Sequence, residues 1–408
     1  MYISAELQSA LMGIYSEGLG VDTVEIGGDL ELTLSTTPDG IELRKNSSLF
    51  NNDAFKRVYH SLWEEWFNGI LAGMRDADLV VLTVMSVLFG LSCIEKYPNM
   101  KAIGIYVCAY DSTAEFTPPI VATKSQSVFN WINSLEWKLV EYGTSFLYTD
   151  KINQLRANVA LPPIKVNYNH MVQSLFHKPM VTATIYSKYL LPRPSDWSEN
   201  HHMVGAILEE ENSNFVPSDA ILAVLDKWKN EKIIYVGLGS HMSGTFEIDK
   251  QLEILNNIQR AIRNNNCVAL ISLVGLQPTV VDKLSNDDYT VYLQENIPHC
   301  WLFPNISAAI HHGGAGTTHI SIRYGLPTLV IPNIHDQLSN GDRVFINKLG
   351  PRPINMRQVN LKNLTSAIRD LIQNYTMYQI NVKKMGELIR QEDGLGNCVR
   401  LIETELST

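Results

Sequence analysis

Residues 308–318 read Ala308-Ala309-Ile310-His311-His312-Gly313-Gly314-Ala315-Gly316-Thr317-Thr318. A short apolar run passes directly into small residues, and these pass into the amphipathic Ile320-Ser321-Ile322-Arg323-Tyr324. The order is strand, glycine turn, helix. Glycines let a backbone approach a phosphate, and the first turn of a helix offers N–H groups with a favourable dipole. Thr317 and Thr318 add hydroxyls, and His312 adds an imidazole donor. The segment is neither a P-loop, which requires Gly-Lys-Ser/Thr, nor a GxGxxG fingerprint. A purely structural turn is the competing reading.

The flanking residues favour a ligand. Upstream stands Asn296-Ile297-Pro298-His299-Cys300-Trp301-Leu302-Phe303-Pro304. Downstream, Thr328-Leu329-Val330-Ile331 is followed by Pro332-Asn333-Ile334-His335-Asp336-Gln337. That places an acid and an amide just past the carboxyl end of a strand, where α/β sheets bind ligands. Such a pair can accept from and donate to sugar hydroxyls. Taken singly, Asp336 reads as a solvated loop residue and Trp301 as a core aromatic.

Short apolar, β-branched runs at 79–82, 102–107, 232–236, 267–271, 289–293, 308–310 and 328–331 read as buried parallel strands. Helical spacing appears over 246–264 and 361–375, and over 128–155, where Trp131, Leu135 and Leu139 share one side. Strand–helix alternation, in two such regions, predicts an α/β fold with helices on both sheet faces. The expected division is 1–205 for the first domain, 206–218 for a polar linker, 219–385 for the second domain and 386–408 for a C-terminal helix returning to the first. Two such halves place a ligand at their interface.

The chain has 408 residues and a formal net charge of -9, which argues against nucleic acid as the main partner. Its five cysteines stand singly, with no CxxC pair, so neither a metal site nor a disulfide framework is expected, and a reducing compartment is the simpler setting. The His201-His202 pair is read as structural rather than metal-binding. The opening residues lack a signal-peptide pattern, and the uncharged run 79–94 reads as a strand entering a helix rather than a membrane span. The expected location is cytoplasmic, with peripheral contact at a membrane where the acceptor is a lipid.

Residues 291–350 resemble the donor-binding signature of UDP-glycosyltransferases, in particular the sterol 3-β-glucosyltransferase branch. The resemblance rests on Pro298-His299-Cys300-Trp301-Leu302-Phe303-Pro304, the His-His-Gly-Gly-Ala-Gly-Thr-Thr run, Gly325-Leu326-Pro327 and Asp336-Gln337. Weaker similarity covers Tyr235-Val236-Gly237-Leu238-Gly239-Ser240, Leu191-Pro192-Arg193-Pro194-Ser195-Asp196-Trp197 and Glu392-Asp393-Gly394. It implies a GT-B fold, two Rossmann-like domains of which the C-terminal one holds the nucleotide sugar. By resemblance, Trp301 packs against uracil and backbone near Ile297 reads its edge. His312, Gly313, Gly314, Ala315, Gly316 and Thr317 hold the diphosphate, Gly239 and Ser240 face the phosphates, and Asp336 and Gln337 bind the sugar. No metal or other cofactor is expected, since helix dipole and His312 suffice for the departing UDP.

Two local departures are Cys300, where the family carries an acid, and His335, where a glycine is usual. A larger one lies at the start. The family's Gly-x-x-Gly-Asp turn, which supplies the catalytic base, has no counterpart in the first 120 residues. The first domain is therefore expected to be incomplete, beginning about one strand and one helix late. Asp111, and with it Glu115, is the substitute acid available. Leu88, Phe89, Phe116 and Trp131 are expected to wall an apolar acceptor pocket; Trp63, Trp66 and Phe67 read as core or as part of that wall.

The primary expectation is an inverting transfer of a hexosyl group, glucose by the resemblance, from a UDP-sugar to a hydroxyl of a sterol or other apolar acceptor. The alternative is a UDP-sugar-binding chain without turnover. A third reading, an NAD-dependent oxidoreductase suggested by Gly237-Leu238-Gly239-Ser240, lacks the third glycine and the acid ending the second strand.

Overall fold

A computed structural model describes residues 33–34, 36–45, 52–83, 86–97, 99–119, 130–164, 174–175, 178–208, 215–239, 242–295, 297–333 and 336–408. The expectations for the opening residues, and those for Ser240, His335 and the Leu88 side chain, fall outside what it describes.

The first unit carries helices α1 (Pro38–Lys45), α2 (Asn52–Gly73), α3 (Val87–Glu95) and α4 (Asn130–Asn158). Its strands are β1 (Leu79–Leu82), β2 (Lys101–Tyr106), β5 (Val181–Thr184) and β6 (His201–Met203), joined in parallel in the order β1-β2-β5-β6. The residue pairs β3 (Ser174–Leu175) and β4 (Lys178–Pro179) make a small antiparallel hairpin before β5. The uncharged run at 79–94 resolves into β1 and α3, and no described helix is long and apolar enough to cross a membrane.

The second unit opens with α5 (Asp219–Lys227), whose Ser218 side chain caps the helix by accepting from Ile221 N–H. Its strands β7 (Ile233–Gly237), β8 (Val268–Ser272), β9 (Thr290–Leu293), β10 (Ala308–His311) and β11 (Thr328–Val330) form a parallel sheet in the order β11-β10-β7-β8-β9. Each strand is short, apolar and buried, as parallel strands covered on both faces must be. Helix α6 (Ile248–Arg263) turns Ile254, Leu255, Ile258, Ala261 and Ile262 inward. It starts two residues later than its pattern suggests, because Glu247 is extended. Helices α7 (Ala315–Arg323), α8 (Gln337–Ile346), α9 (Leu361–Gln373) and α10 (Tyr375–Arg390) complete the unit.

The last helix, α11 (Gly394–Ser407), packs back on the first unit. Asn397 Nδ2 donates to Val204 O at 2.9 Å, and Lys101 Nζ donates to Leu406 O at 2.9 Å. The apolar core is also shared. One buried cluster runs from Trp63, Phe67 and Phe89 of the first unit to Ile322, Val344 and Val382 of the second. The two units thus meet through packed side chains.

Candidate functional site

The connection from β9 to β10 crosses to the other side of β7, so the strand order reverses between β7 and β10. Open α/β sheets bind ligands at such a point, beyond the carboxyl ends of the strands. Three neighbouring strands end there in register: His311 lies opposite Gly237 on one side and Val330 on the other. Their exits are Leu238-Gly239, the turn from His312 to Thr317, and the loop toward Asp336.

The glycines of this turn are required by packing. Gly313 has φ +90, and a Cβ there would stand 2.6 Å from Val330 Cγ1 and 2.8 Å from Gln337 O. A Cβ on Gly314 would meet His312 Nε2 at 2.6 Å, and one on Gly239 would meet the same ring at 2.9 Å. The His312 imidazole is therefore seated between two glycine backbones. At Gly316 the corresponding space is open. Gly314 is the N-cap of α7, so Ala315, Gly316 and Thr317 present first-turn N–H groups, which have no partner within a helix. These three residues are partly or fully exposed, while Thr318 behind them is buried. The geometry is that of an anion cradle at a helix N-terminus.

Two further histidines stand near the turn. His311 is fully buried, and its Nδ1 accepts from Gly313 N–H at 3.0 Å. Burial, reinforced by His312 and His299, pushes its pKa well below the ordinary value, so it stays neutral. His299 Nε2 sits 3.2 Å from Tyr235 Oη and is likewise pushed down by burial and by His312. Neither His311 nor His299 stood among the expected ligand-binding residues. His311 is placed by the sheet register as the last residue of β10, whereas His299 opens a short helix, His299–Leu302, and reaches Tyr235 across 64 residues, which spacing along the chain does not encode.

Asp336 occupies the N-cap position of α8, and its Oδ2 accepts from Asn340 Nδ2 at 2.8 Å. Burial raises its pKa and the Asn340 hydrogen bond pulls it back. Gln337 is buried, and its Oε1 accepts from Asn333 N–H at 2.8 Å, which fixes the loop leading out of β11. Ile297 is buried, and Trp301 is half-buried, its ring 5.4 Å from that of Phe215.

Facing Asp336 are residues of the first unit. Its charge adds to burial in raising both the Cys108 thiol, just past β2, and the Tyr186 hydroxyl, just past β5. Phe116 also reaches the interface, with the Arg343 guanidinium 5.7 Å from its ring.

The acceptor-side expectations are corrected in three places. Phe89 is core, edge-on to Trp63 at 5.4 Å and to Trp66 at 6.3 Å, because α3 turns this residue toward α2. Trp131 is 66% exposed and points away from the face of α4 that packs inward through Asn133 and Trp137. Asp111, the substitute base, is fully buried: its Oδ2 accepts from Thr182 Oγ1 at 3.4 Å and its Oδ1 lies 4.0 Å from His201 Nε2. Burial pushes its pKa up to about 7. Glu115 is engaged as well, its Oε1 accepting from Ser195 N–H at 2.7 Å and Ser195 Oγ at 2.5 Å. His201 and His202 pair with no metal-type cluster; among the described residues no group of three or more ligating side chains assembles.

A family model described as erythromycin biosynthesis protein CIII-like, C-terminal domain, matches residues 273–391. The chain is 28% identical over 306 residues to a sterol 3-beta-glucosyltransferase of Arabidopsis thaliana, covering 73% of this chain and 47% of the relative. It is 24% identical over 401 residues to the sterol 3-beta-glucosyltransferase of Yarrowia lipolytica, covering 96% of this chain and 26% of the relative. The chain thus spans less than half the length of these curated relatives. Among solved structures, the spinosyn forosaminyltransferase SpnP superposes with a TM-score of 0.63 at 13% identity, covering 98% of this chain and 90% of that one. The calicheamicin glycosyltransferase CalG4 superposes with a TM-score of 0.59 at 16% identity, covering 88% and 84%. Two parallel α/β units meeting beside the glycine turn, together with these superpositions, give the chain a GT-B-like fold, and its sequence is similar to sterol 3-beta-glucosyltransferases.

Proposed function

We propose that this chain binds a UDP-hexose in the turn after β10 and transfers the hexosyl group, glucose by the likeness to its relatives, to a hydroxyl of a sterol or similar apolar acceptor with inversion. The observation that carries this reading is the open space at Gly316 beside a rigidly seated His312, at a helix N-terminus facing Asp336. The first-turn N–H groups and His312 hold the diphosphate, and Asp336 with Gln337 takes the sugar hydroxyls. A base removes the acceptor proton as the oxygen attacks the anomeric carbon, and UDP leaves toward the helix dipole. The turn supplies this stabilisation without a metal.

A second reading, donor binding without turnover, is favoured by one observation. The two acids considered as the base, Asp111 and Glu115, are buried or already hydrogen-bonded. Isothermal calorimetry with UDP-glucose, run beside an assay of UDP release with a sterol acceptor, separates the two. Binding with release supports transfer, binding without release supports the second reading, and no binding overturns both.

A reducing, cytoplasmic setting belongs to the proposal, supported by five buried, unpaired cysteines. So does peripheral contact with a lipid surface. The outer side of α4 carries Trp131, Leu135, Leu139, Tyr142 and Phe146 at helical spacing, each between 48% and 75% exposed. Its inner side grips the acceptor-side loop, with Asn133 Nδ2 donating to Ala114 O and Trp137 Nε1 donating to Phe116 O, both at 2.9 Å.

A further inference from the structure

The two units are joined by a buried chain of hydrogen bonds that ends on the glycine turn. Tyr186 and Ser187 follow β5 and reach both α7 and α8 of the second unit. Tyr186 Oη donates to Asn340 Oδ1 at 2.9 Å. Asn340 Nδ2 donates to Gly313 O at 2.8 Å and to Asp336 Oδ2 at 2.8 Å. A backbone carbonyl only accepts, so the amide has a single orientation consistent with all three bonds. Beside it, Ser187 N–H donates to His319 Nε2 at 3.1 Å, and His319 Nδ1 donates to Ala315 O at 2.7 Å. The Tyr186 ring stands edge-on to His319 at 4.3 Å. Tyr186, Ser187, His319 and Asn340 are all at most 2% exposed, so water does not compete for these bonds.

We propose that Tyr186 and Asn340 are positioning residues for sugar recognition. Through them the first unit holds the Asp336 carboxylate and the Gly313 carbonyl in place, so that the sugar end of the donor site depends on the two units being docked. The proposal rests on the donor-site reading above. Asn340 grips both flanks of the site at once, Gly313 O on one and Asp336 Oδ2 on the other. Its carbonyl is satisfied from the opposite unit, and without that bond a buried oxygen is left unpaired and the amide loses the reason for its orientation.

Tyr186→Phe removes the hydroxyl and keeps the ring against His319. UDP-glucose affinity is expected to fall about threefold to tenfold, the scale of one hydrogen bond, while UDP affinity stays within about twofold. Amide hydrogen exchange over residues 313–317 is expected to accelerate in the ligand-free variant. Asn340→Asp keeps the acceptor for Tyr186 but turns a carboxylate toward Gly313 O and Asp336, and is expected to lose about tenfold or more for UDP-glucose. Equal weakening of UDP and UDP-glucose, or unchanged affinities with unchanged amide exchange, overturns the proposal. If the wild-type chain bound neither nucleotide, the donor-site reading would fall, and the exchange comparison would still decide whether Tyr186 holds the turn.

Discussion

A Cβ on Gly239 would stand 2.9 Å from the His312 imidazole, although 73 residues separate the two along the chain. The β7–β10 register brings them together, and Gly239 leaves the room in which the ring sits. With φ +77, Gly239 also occupies a conformation that costs other residues ~1–2 kcal/mol. Gly239→Ala is therefore expected to lower the melting temperature and to weaken UDP binding about tenfold through displacement of His312. Gly316→Ala is the contrasting variant. Its Cβ meets nothing and alanine suits a helix, so stability should hold or rise. UDP binding should still fall, because the open space is where the diphosphate is proposed to lie. Calorimetry and thermal melts on both variants test this; undiminished UDP binding by Gly316→Ala would place the diphosphate elsewhere.

His312→Ala and Gln337→Ala distinguish the two ends of the donor. The first is expected to weaken UDP and UDP-glucose alike by ~1–3 kcal/mol. The second is expected to weaken UDP-glucose on the same scale and to spare UDP. Equal losses of both ligands on changing Gln337 would mean that its bond to Asn333 N–H, and not a sugar hydroxyl, is what the ligand feels.

The buried ionisable groups give stability two opposite dependences on pH. Asp111 is raised in the folded state to about 7, so its contribution is full below the ordinary carboxylate range and is lost as pH rises through about 7. Asp111→Asn is therefore expected to melt higher than wild type at pH 8.5, with the gap closing by pH 5. His201 and His319 are both held down to about 4, chiefly by burial. Their contribution is present above the ordinary histidine value and is lost as pH falls from ~6.5 toward about 4. Wild type should lose stability across that window, and melts at half-unit pH steps would show whether it does.

Transfer should be insensitive to the acids beside β2. Asp111→Asn and Glu115→Gln are expected to leave glucosyl transfer to a sterol within about threefold of wild type, since Asp111 is buried and Glu115 is already held by Ser195. Removal of a true general base costs ~10²–10⁴-fold. A loss of that size in either variant would identify the base and require the 111–116 loop to open.

The exposed side of α4 should bind lipid. The chain is expected to float with phosphatidylcholine–sterol vesicles, and Trp131→Glu combined with Leu139→Glu is expected to abolish flotation with melting unchanged, because both positions are solvent-exposed. Equal recovery of wild type and variant would assign the stripe no part in membrane contact.

Much was legible in the order of residues alone. Residues 308–318 announce a strand, a glycine turn and a helix, and β10 and α7 stand there. The seven apolar runs emerge as β1, β2, β7, β8, β9, β10 and β11, because a parallel strand buried on both faces writes its burial into consecutive residues. The strand β5 is not legible as an apolar run, since Val181–Thr184 is short and half polar. Tertiary structure alone decided which way side chains face. Asp111 follows a strand as a catalytic acid would, yet the fold closes over it beside Thr182 and His201. Trp131, Leu135 and Leu139 have the spacing of a packing face, yet α4 buries Asn133 and Trp137 instead. The grip of Tyr186 on Asn340, across 154 residues, exists only because two sheets are docked. Periodicity reports how an element meets its own layer, whereas contacts between layers depend on topology and docking, which local sequence does not carry.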